Sequence, residues 1–181
     1  MTADDSPRPE TTAQGLADLQ PAFRPGGTVT AGNACPLNDG AAAMVVLTST
    51  RARELGLAPL ARIVSTGVSA LDPEIMGLGP VEATRSALRH AGMTIGDIDL
   101  VELNEAFAAQ VIPSADDLGL SYDTLNVHGG AIALGHPFGM TGVRMAGTLL
   151  NGLCAREASV GLVTLCTAGG QGMALVLERL S

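Results

Sequence analysis

Apolar positions along this chain fall into short continuous runs that alternate with helical stripes, the rhythm of strands interleaved with helices. Residues 41–48 are almost entirely apolar, as expected of a strand covered on both faces. Residues 50–55 read as a helix closed by Gly56, and residues 61–70 as a second strand. Pro80 then occupies a favoured first helical position, Val81, Thr84, Leu88 and Ala91 share one face, and Gly92 supplies the stop. Residues 98–103 alternate acidic and apolar positions as a short strand, and a helix is expected from Glu105 to about Ile112, interrupted by Pro113. A glycine-rich stretch from Gly129 to Gly142 leads into a helix ending near Ala155. Strand-like residues 160–166, a turn at 167–172 and strand-like residues 173–178 complete the pattern, the last two strands pairing antiparallel. The expectation is an α/β fold with a mixed five-stranded sheet and helices on both faces. This domain covers residues 28–181. Residues 1–27, rich in Pro, Asp, Thr and Gly with one short helical pattern at 12–19, read as a linker or peripheral loop.

Composition sharpens that picture. The chain of 181 residues is 46% hydrophobic but holds three Phe, one Tyr and no Trp, so its core is built from Ala, Val, Leu, Ile and Met, which suits close packing of helix on sheet. The 23 glycines cluster without a fixed period, marking tight turns and backbone-lined sites. A formal charge of −8 argues against holding nucleic acid or an anionic membrane by bulk electrostatics, so an anionic ligand must be bound locally. Three cysteines and no signal-peptide pattern point to free thiols in a reducing, cytoplasmic setting. No apolar stretch is long enough to span a bilayer, and a soluble protein is expected.

Three segments place a reactive side chain at the end of a regular element beside small residues: Asn104-Glu105-Ala106-Phe107-Ala108, Gly135-His136-Pro137-Phe138-Gly139, and Cys166-Thr167-Ala168-Gly169-Gly170-Gln171-Gly172. Cys166, followed by a turn whose N–H groups can converge on an oxyanion, could act as nucleophile or acid/base. By itself it reads rather as a core cysteine capping a hairpin. His136, held between Gly135 and Pro137, fits a general base, an oxyanion donor or a hydrogen-bonded structural histidine. Asn104 could orient a water or merely hold a loop.

In combination the three change the reading. Their order, together with Gly129–Pro137 reading Gly-Gly-Ala-Ile-Ala-Leu-Gly-His-Pro and the upstream runs Val29-Thr30-Ala31-Gly32-Asn33-Ala34 and Asn38-Asp39-Gly40-Ala41-Ala42-Ala43, resembles the thiolase family over nearly the whole chain. The resemblance implies the second of two similar α/β halves, with residues 1–27 as the tail of a loop region inserted in the first. It implies transfer of acyl groups between coenzyme A thioesters, by Claisen condensation of acetyl-CoA or thiolytic cleavage of a 3-ketoacyl-CoA. A cysteine of the first half carries the acyl group. On that resemblance His136 would activate that cysteine and, with a water held by Asn104, form an oxyanion hole for the thioester enolate, while Cys166 would move the proton at the α-carbon. Ala168 contributes its N–H to a second oxyanion hole. By the same resemblance Arg8 would lie near the adenine end of coenzyme A and Cys35 near the pantetheine, and Met76, Ala106 and Phe107 would line the pantetheine or acyl tunnel. Coenzyme A thioester enters as substrate, and no covalently bound cofactor and no metal are expected. The missing first half, in the same gene or a separate chain, and a homo- or hetero-oligomeric assembly are the implied partners.

Three departures stand beside the resemblance. No cysteine matches the acyl-carrying one, since Cys35 belongs to the ligand-contact segment and Cys154 to a helix. Ala168 replaces the usual Gly, and Cys35-Pro36 replaces Ser and Gly. The chain alone is therefore expected to be inactive, and a non-catalytic acyl-CoA-binding or assembly subunit is the competing reading. The related condensing enzymes use one Cys and two His and lack these segments. A metal site is disfavoured because His90, His128 and His136 are not paired with the cysteines at ligand spacing. Gly169, Gly170 and Gly172 belong to a hairpin rather than a dinucleotide loop.

Overall fold

The computed structural model describes residues 6–180. Strands β1 (Ala61–Ala70), β2 (Leu100–Leu103), β3 (Val160–Thr167) and β4 (Gln171–Arg179) form a mixed sheet in the order β1-β4-β3-β2. β3 and β4 pair antiparallel with Cys166 opposite Gly172, β1 runs antiparallel to β4, and β2 runs parallel to β3 with Leu103 opposite Thr164. The helices are α1 (Ala13–Ala17), α2 (Ser49–Glu54), α3 (Gly79–Ala91), α4 (Ala108–Leu118), α5 (Ala131–Leu134) and α6 (Thr141–Ala155).

The sheet has four strands rather than the five expected, because residues 41–48 join no sheet among the described residues. Met44, Val45, Val46 and Leu47 are 44, 82, 67 and 41% exposed. Their apolar run reports a segment suited to cover on both faces, but a strand needs a neighbour for its N–H and C=O groups. None of the described strands supplies one.

Helices do cover both faces. On one, Ala83, Ala87 and Leu88 of α3 and Val111 of α4 pack against Val101, Leu103, Leu162, Ala174 and Val176. On the other, Met145, Ala146, Leu149 and Leu153 of α6 meet Leu100, Val163 and Leu177. Alternate residues of β2 and β3 thus serve opposite layers, as the period of two requires. Small residues bring α3 unusually near the sheet. A Cβ on Gly67 of β1 would overlap the backbone of Ala83 and Ala87, and one on Gly172 would overlap Gly79. Ser65 and Ser69 of β1 donate to the carbonyls of Ala87 and Gly79, each at 2.7 Å. Gly92 ends α3 in the left-handed region at φ 67°, as its sequence position suggests.

α4 starts at Ala108 rather than Glu105. The preceding residues are held extended: Ala34 and Phe107 form an antiparallel bridge, Cys35 N–H donates to Ala106 O, and Ala108 N–H donates to Asn33 O. Pro113 does not end this helix, which continues to Leu118 and stops at left-handed Gly119. A proline there removes only the bond to Ala109 O, and the packed face through Val111, Ser114, Ala115 and Leu118 carries the helix past it.

Candidate active site

β2 and β3 are parallel, so Asn104 and Cys166 both lie at the carboxyl edge of the sheet, where open α/β folds place their ligands. Asn104 is 1% exposed, and its N–H continues the ladder to Thr164 O. Its Nδ2 stands 3.4 Å from His136 Nε2. Asn104 Oδ1 is buried and has no hydrogen-bond partner.

His136 follows Gly135, whose φ of 96° turns the chain sharply after α5. Its N–H donates to Asn38 Oδ1 at 2.9 Å, its Nδ1 lies 2.7 Å from Thr141 Oγ1 at the start of α6, and the Phe138 ring meets it edge-on at 5.0 Å. Burial, and secondarily the Arg144 cation, holds the imidazole below its ordinary pKa and favours the neutral ring. Two tautomers fit the contacts. If Thr141 donates to Nδ1, Nε2 carries the proton, and two donors, Nε2–H and the Asn104 amide, face a common point. If Nδ1 donates to Thr141, Nε2 accepts from Asn104.

Cys166 is 7% exposed and lines a cavity of about 420 Å³ together with Met76, Phe107, Gln110, Ile75 and Phe23 among others. Burial pushes its thiol up, with the neighbouring Cys35 adding to the effect, so it rests protonated at neutral pH. Burial also raises the Cys35 thiol. Neither His136 nor Asn104 is among the lining residues described for this cavity. The contact between the two groups runs through Gln110, which lines the cavity and donates to Asn104 O at 2.7 Å. The three residues therefore share one sheet edge, and a side-chain hydrogen bond joins Asn104 to His136.

The remaining sequence candidates fall as follows. Met76 and Phe107 line the cavity, and Phe107 stacks edge-on against Phe23 at 5.9 Å. Ala106 is 6% exposed and acts through its backbone, accepting from Cys35. Ala168 is exposed, and its φ is not positive, so its N–H is presented in ordinary backbone geometry; Gly169 and Gly170 carry the turn at φ 85° and 83°. Arg8 is exposed and donates to Ser6 O, apart from the cavity lining. Among the described residues no group of His, Cys, Asp and Glu is placed to hold a metal ion, and no helix is long and apolar enough to cross a membrane.

Several supporting residues carried no sequence signal of their own. Glu102, 2% exposed, meets Arg144 at 3.3 Å, yet burial outweighs that single contact and pushes its carboxyl up to about 7, with Glu105 adding to the rise. Thr141 and Arg144 are one turn apart on α6, so the hydroxyl on His136 and the cation on Glu102 share a helix face. Spacing alone could have paired Thr141 with Arg144, but not either with β2.

The chain is matched over residues 57–179 by the family described as thiolase, C-terminal domain, and over residues 1–50 by thiolase, N-terminal domain. It is 56% identical over 180 residues to a 3-ketoacyl-CoA thiolase of Cronobacter sakazakii, covering 97% of this chain and 46% of that protein. To a 3-ketoacyl-CoA thiolase of a Marinomonas species it is 54% identical, covering 99% and 47%. The crystal structure of human mitochondrial 3-ketoacyl-CoA thiolase in complex with CoA superposes with a TM-score of 0.95 at 44% identity, over 100% of this chain and 46% of that one. The acetyl-CoA acetyltransferase of Bacillus anthracis gives 0.94 at 47%, over 98% and 45%. The chain thus spans about half the length of the curated relatives it matches.

Proposed function

Because this chain belongs to the thiolase family, we propose that it supplies the enolate-binding and proton-transfer side of an active site that moves acyl groups between coenzyme A thioesters. The observation that carries this reading is the 3.4 Å approach of the Asn104 amide to His136 Nε2 at the carboxyl edge of the sheet. With Thr141 donating to Nδ1, both nitrogens present N–H groups, and two donors that cannot bond each other are arranged for an oxygen placed between them or for a water held by Asn104. Fixed donors aimed at a developing negative charge are the largest single means of stabilising an enolate. In the other neutral tautomer, with Nδ1 donating to Thr141, Nε2 is the acceptor and fits His136 for taking the proton of an incoming thiol.

Cys166 is the acid/base at the α-carbon in this reading. A thiol kept protonated by burial fits the donor step of 3-ketoacyl-CoA cleavage, in which the carbon–carbon bond breaks and the enolate carbon takes the thiol proton. Condensation runs the same step backwards. The Ala168 N–H serves a second oxyanion hole, Met76, Ala106, Phe107 and Cys35 line the pantetheine or acyl path, and Arg8 reaches the adenine end. The apolar cavity beside Cys166 suits an acyl chain, and the human relative solved with CoA supports a coenzyme A thioester as substrate. The acyl-carrying cysteine comes from the first thiolase half. The join between the two family matches falls at residues 51–56, so the exposed run at 41–48 lies on the side of that half.

The test is reconstitution. Co-expression of this chain with a thiolase N-terminal half bearing its cysteine should give cleavage of acetoacetyl-CoA that is lost in His136→Asn and Cys166→Ala. A folded complex that binds CoA but shows no turnover would replace this reading with that of a non-catalytic acyl-CoA-binding subunit.

A further inference from the structure

Glu105 stands beside Asn104, is not among the lining residues described for the cavity, and bonds through its carboxylate to two other segments. Its Oε1 accepts from Asn126 Nδ2 at 2.9 Å, and its Oε2 accepts from the Ile132 N–H of α5 at 3.1 Å. Asn126 is itself fixed to the end of β2, with its Oδ1 accepting from Leu103 N–H and its Nδ2 donating to Leu103 O, each at 2.9 Å. The carboxylate fills the space over Gly130, where a Cβ would overlap it. Gly130 needs no unusual φ, so the reason for glycine there is the acid above it. One side chain therefore ties the strand end that carries Asn104 to the loop that delivers His136 four residues after Ile132.

We propose that Glu105 is a positioning residue that sets the separation of Asn104 and His136 by clamping the loop from Gly130 to Gly135 onto the end of β2. Both of its partners are donors, so a carboxylate satisfies the two at once. A glutamine of the same shape turns an NH₂ toward one of them and loses that bond. The clamp operates at the loop's start, while Asn38 and Thr141 hold His136 itself, so relaxing the clamp lets the loop pivot about those two bonds rather than unfold. The inference deepens the reading of Asn104 and His136 as the enolate-binding pair and rests on it for its functional meaning. Its test reads ring geometry and is independent of turnover.

The experiment is ¹⁵N NMR of the full 181-residue chain with labelled histidine, comparing wild type with Glu105→Gln and Gly130→Ala, which attack the clamp from opposite sides. Ser65→Ala, which removes a buried hydrogen bond to Ala87 O on the α3 face, serves as the control for general destabilisation. The expected result is that both clamp variants move the His136 Nε2 resonance and the apparent pKa of the ring, while Ser65→Ala leaves both in place. Either clamp variant suffices if the other does not fold. A folded Glu105→Gln or Gly130→Ala protein whose Ile132 amide resonance has moved, but whose His136 Nε2 signal and pKa match wild type, overturns the proposal. Loss of cleavage in the reconstituted enzyme with the His136 signal unmoved would also count against it.

Discussion

Asn104 and His136 come from different elements, one ending an edge strand and the other following a four-residue helix, and their side-chain nitrogens stand 3.4 Å apart with Thr141 2.7 Å behind the ring. In such a stack the direction of the Thr141 hydrogen bond and the place of the ring proton are one choice: when the hydroxyl donates to Nδ1, Nε2 carries the proton and faces the Asn104 amide as a second donor.

His136 should therefore titrate below the ordinary histidine value. A ring whose folded pKa is depressed binds protons more readily when unfolded, so its contribution to stability is complete above the unfolded value near pH 6.5 and is lost as pH falls toward the folded one. Proton NMR titration of the ring checks this. Arg144→Met should raise the His136 pKa, though not to the unperturbed value, because burial is the larger cause; an unchanged pKa in that variant would remove Arg144 from the account.

Glu102 gives the opposite slope. Its folded pKa of about 7 lies above the ordinary 4.5, so the folded form holds the proton more tightly and stability declines as pH rises from about 4.5 to 7. The shift corresponds to roughly 3 kcal/mol. Urea denaturation at pH 5 and pH 8 should show this decline in wild type and its absence in Glu102→Gln. Equal slopes in the two proteins would refute it.

The purified chain should not cleave acetoacetyl-CoA by itself, because an oxyanion hole and an acid/base cannot complete a ping-pong cycle without an acyl-carrying thiol. A coupled assay with excess CoA measures this, and activity abolished by Cys166→Ala would show that a thiol of this chain fills that role.

Gly67→Ala should destabilise the fold by about 1–3 kcal/mol, as expected when a methyl is forced into a packed interface. The new Cβ would press on the Ala83 carbonyl and the Ala87 nitrogen, which are backbone and cannot rotate aside. Thermal melting compared with Gly147→Ala, a helical glycine with open space around it, isolates the steric cost.

Exposed Val45, Val46, Leu60 and Val68, from 67 to 82% accessible, should make the isolated chain self-associate. Sedimentation velocity across a hundredfold concentration range is the measurement, and a constant monomer would contradict the expectation. Val45→Asp with Val46→Asp should reduce association without altering the melting temperature.

Much of this was legible in the sequence, for physical reasons. The face through Val81, Thr84 and Leu88, bounded by Pro80 and Gly92, defines α3 because helix period and end signals agree there. The hairpin of β3 and β4 follows from two apolar runs around Gly169 and Gly170. The run at 41–48 misled because apolarity reports what a segment requires, while strand pairing depends on a neighbour elsewhere. The start of α4 was missed because the pairing of Ala34 with Phe107 spans more than seventy residues of chain and leaves no local mark. In the candidate site, Asn104, His136 and Cys166 could be singled out at the ends of elements beside small residues, and the hydrogen bond of the first two is what the structure adds. The residues that hold them, Glu105, Asn126, Thr141 and Gln110, are ordinary polar residues whose meaning comes only from what the fold sets against them.

Asn126 has a further consequence. Its side chain, on a residue with φ 47°, bonds both backbone groups of Leu103, while the backbone of Thr124 and Asn126 pairs with Val101, so three residues finish the edge of β2 where another protein would use a whole strand. The pairing at that edge is compressed into Thr124, Leu125 and Asn126, and only the last contributes through its side chain. Backbone bonds can be made by almost any non-proline residue, so the demand of that border for one particular side chain falls on the single codon for Asn126.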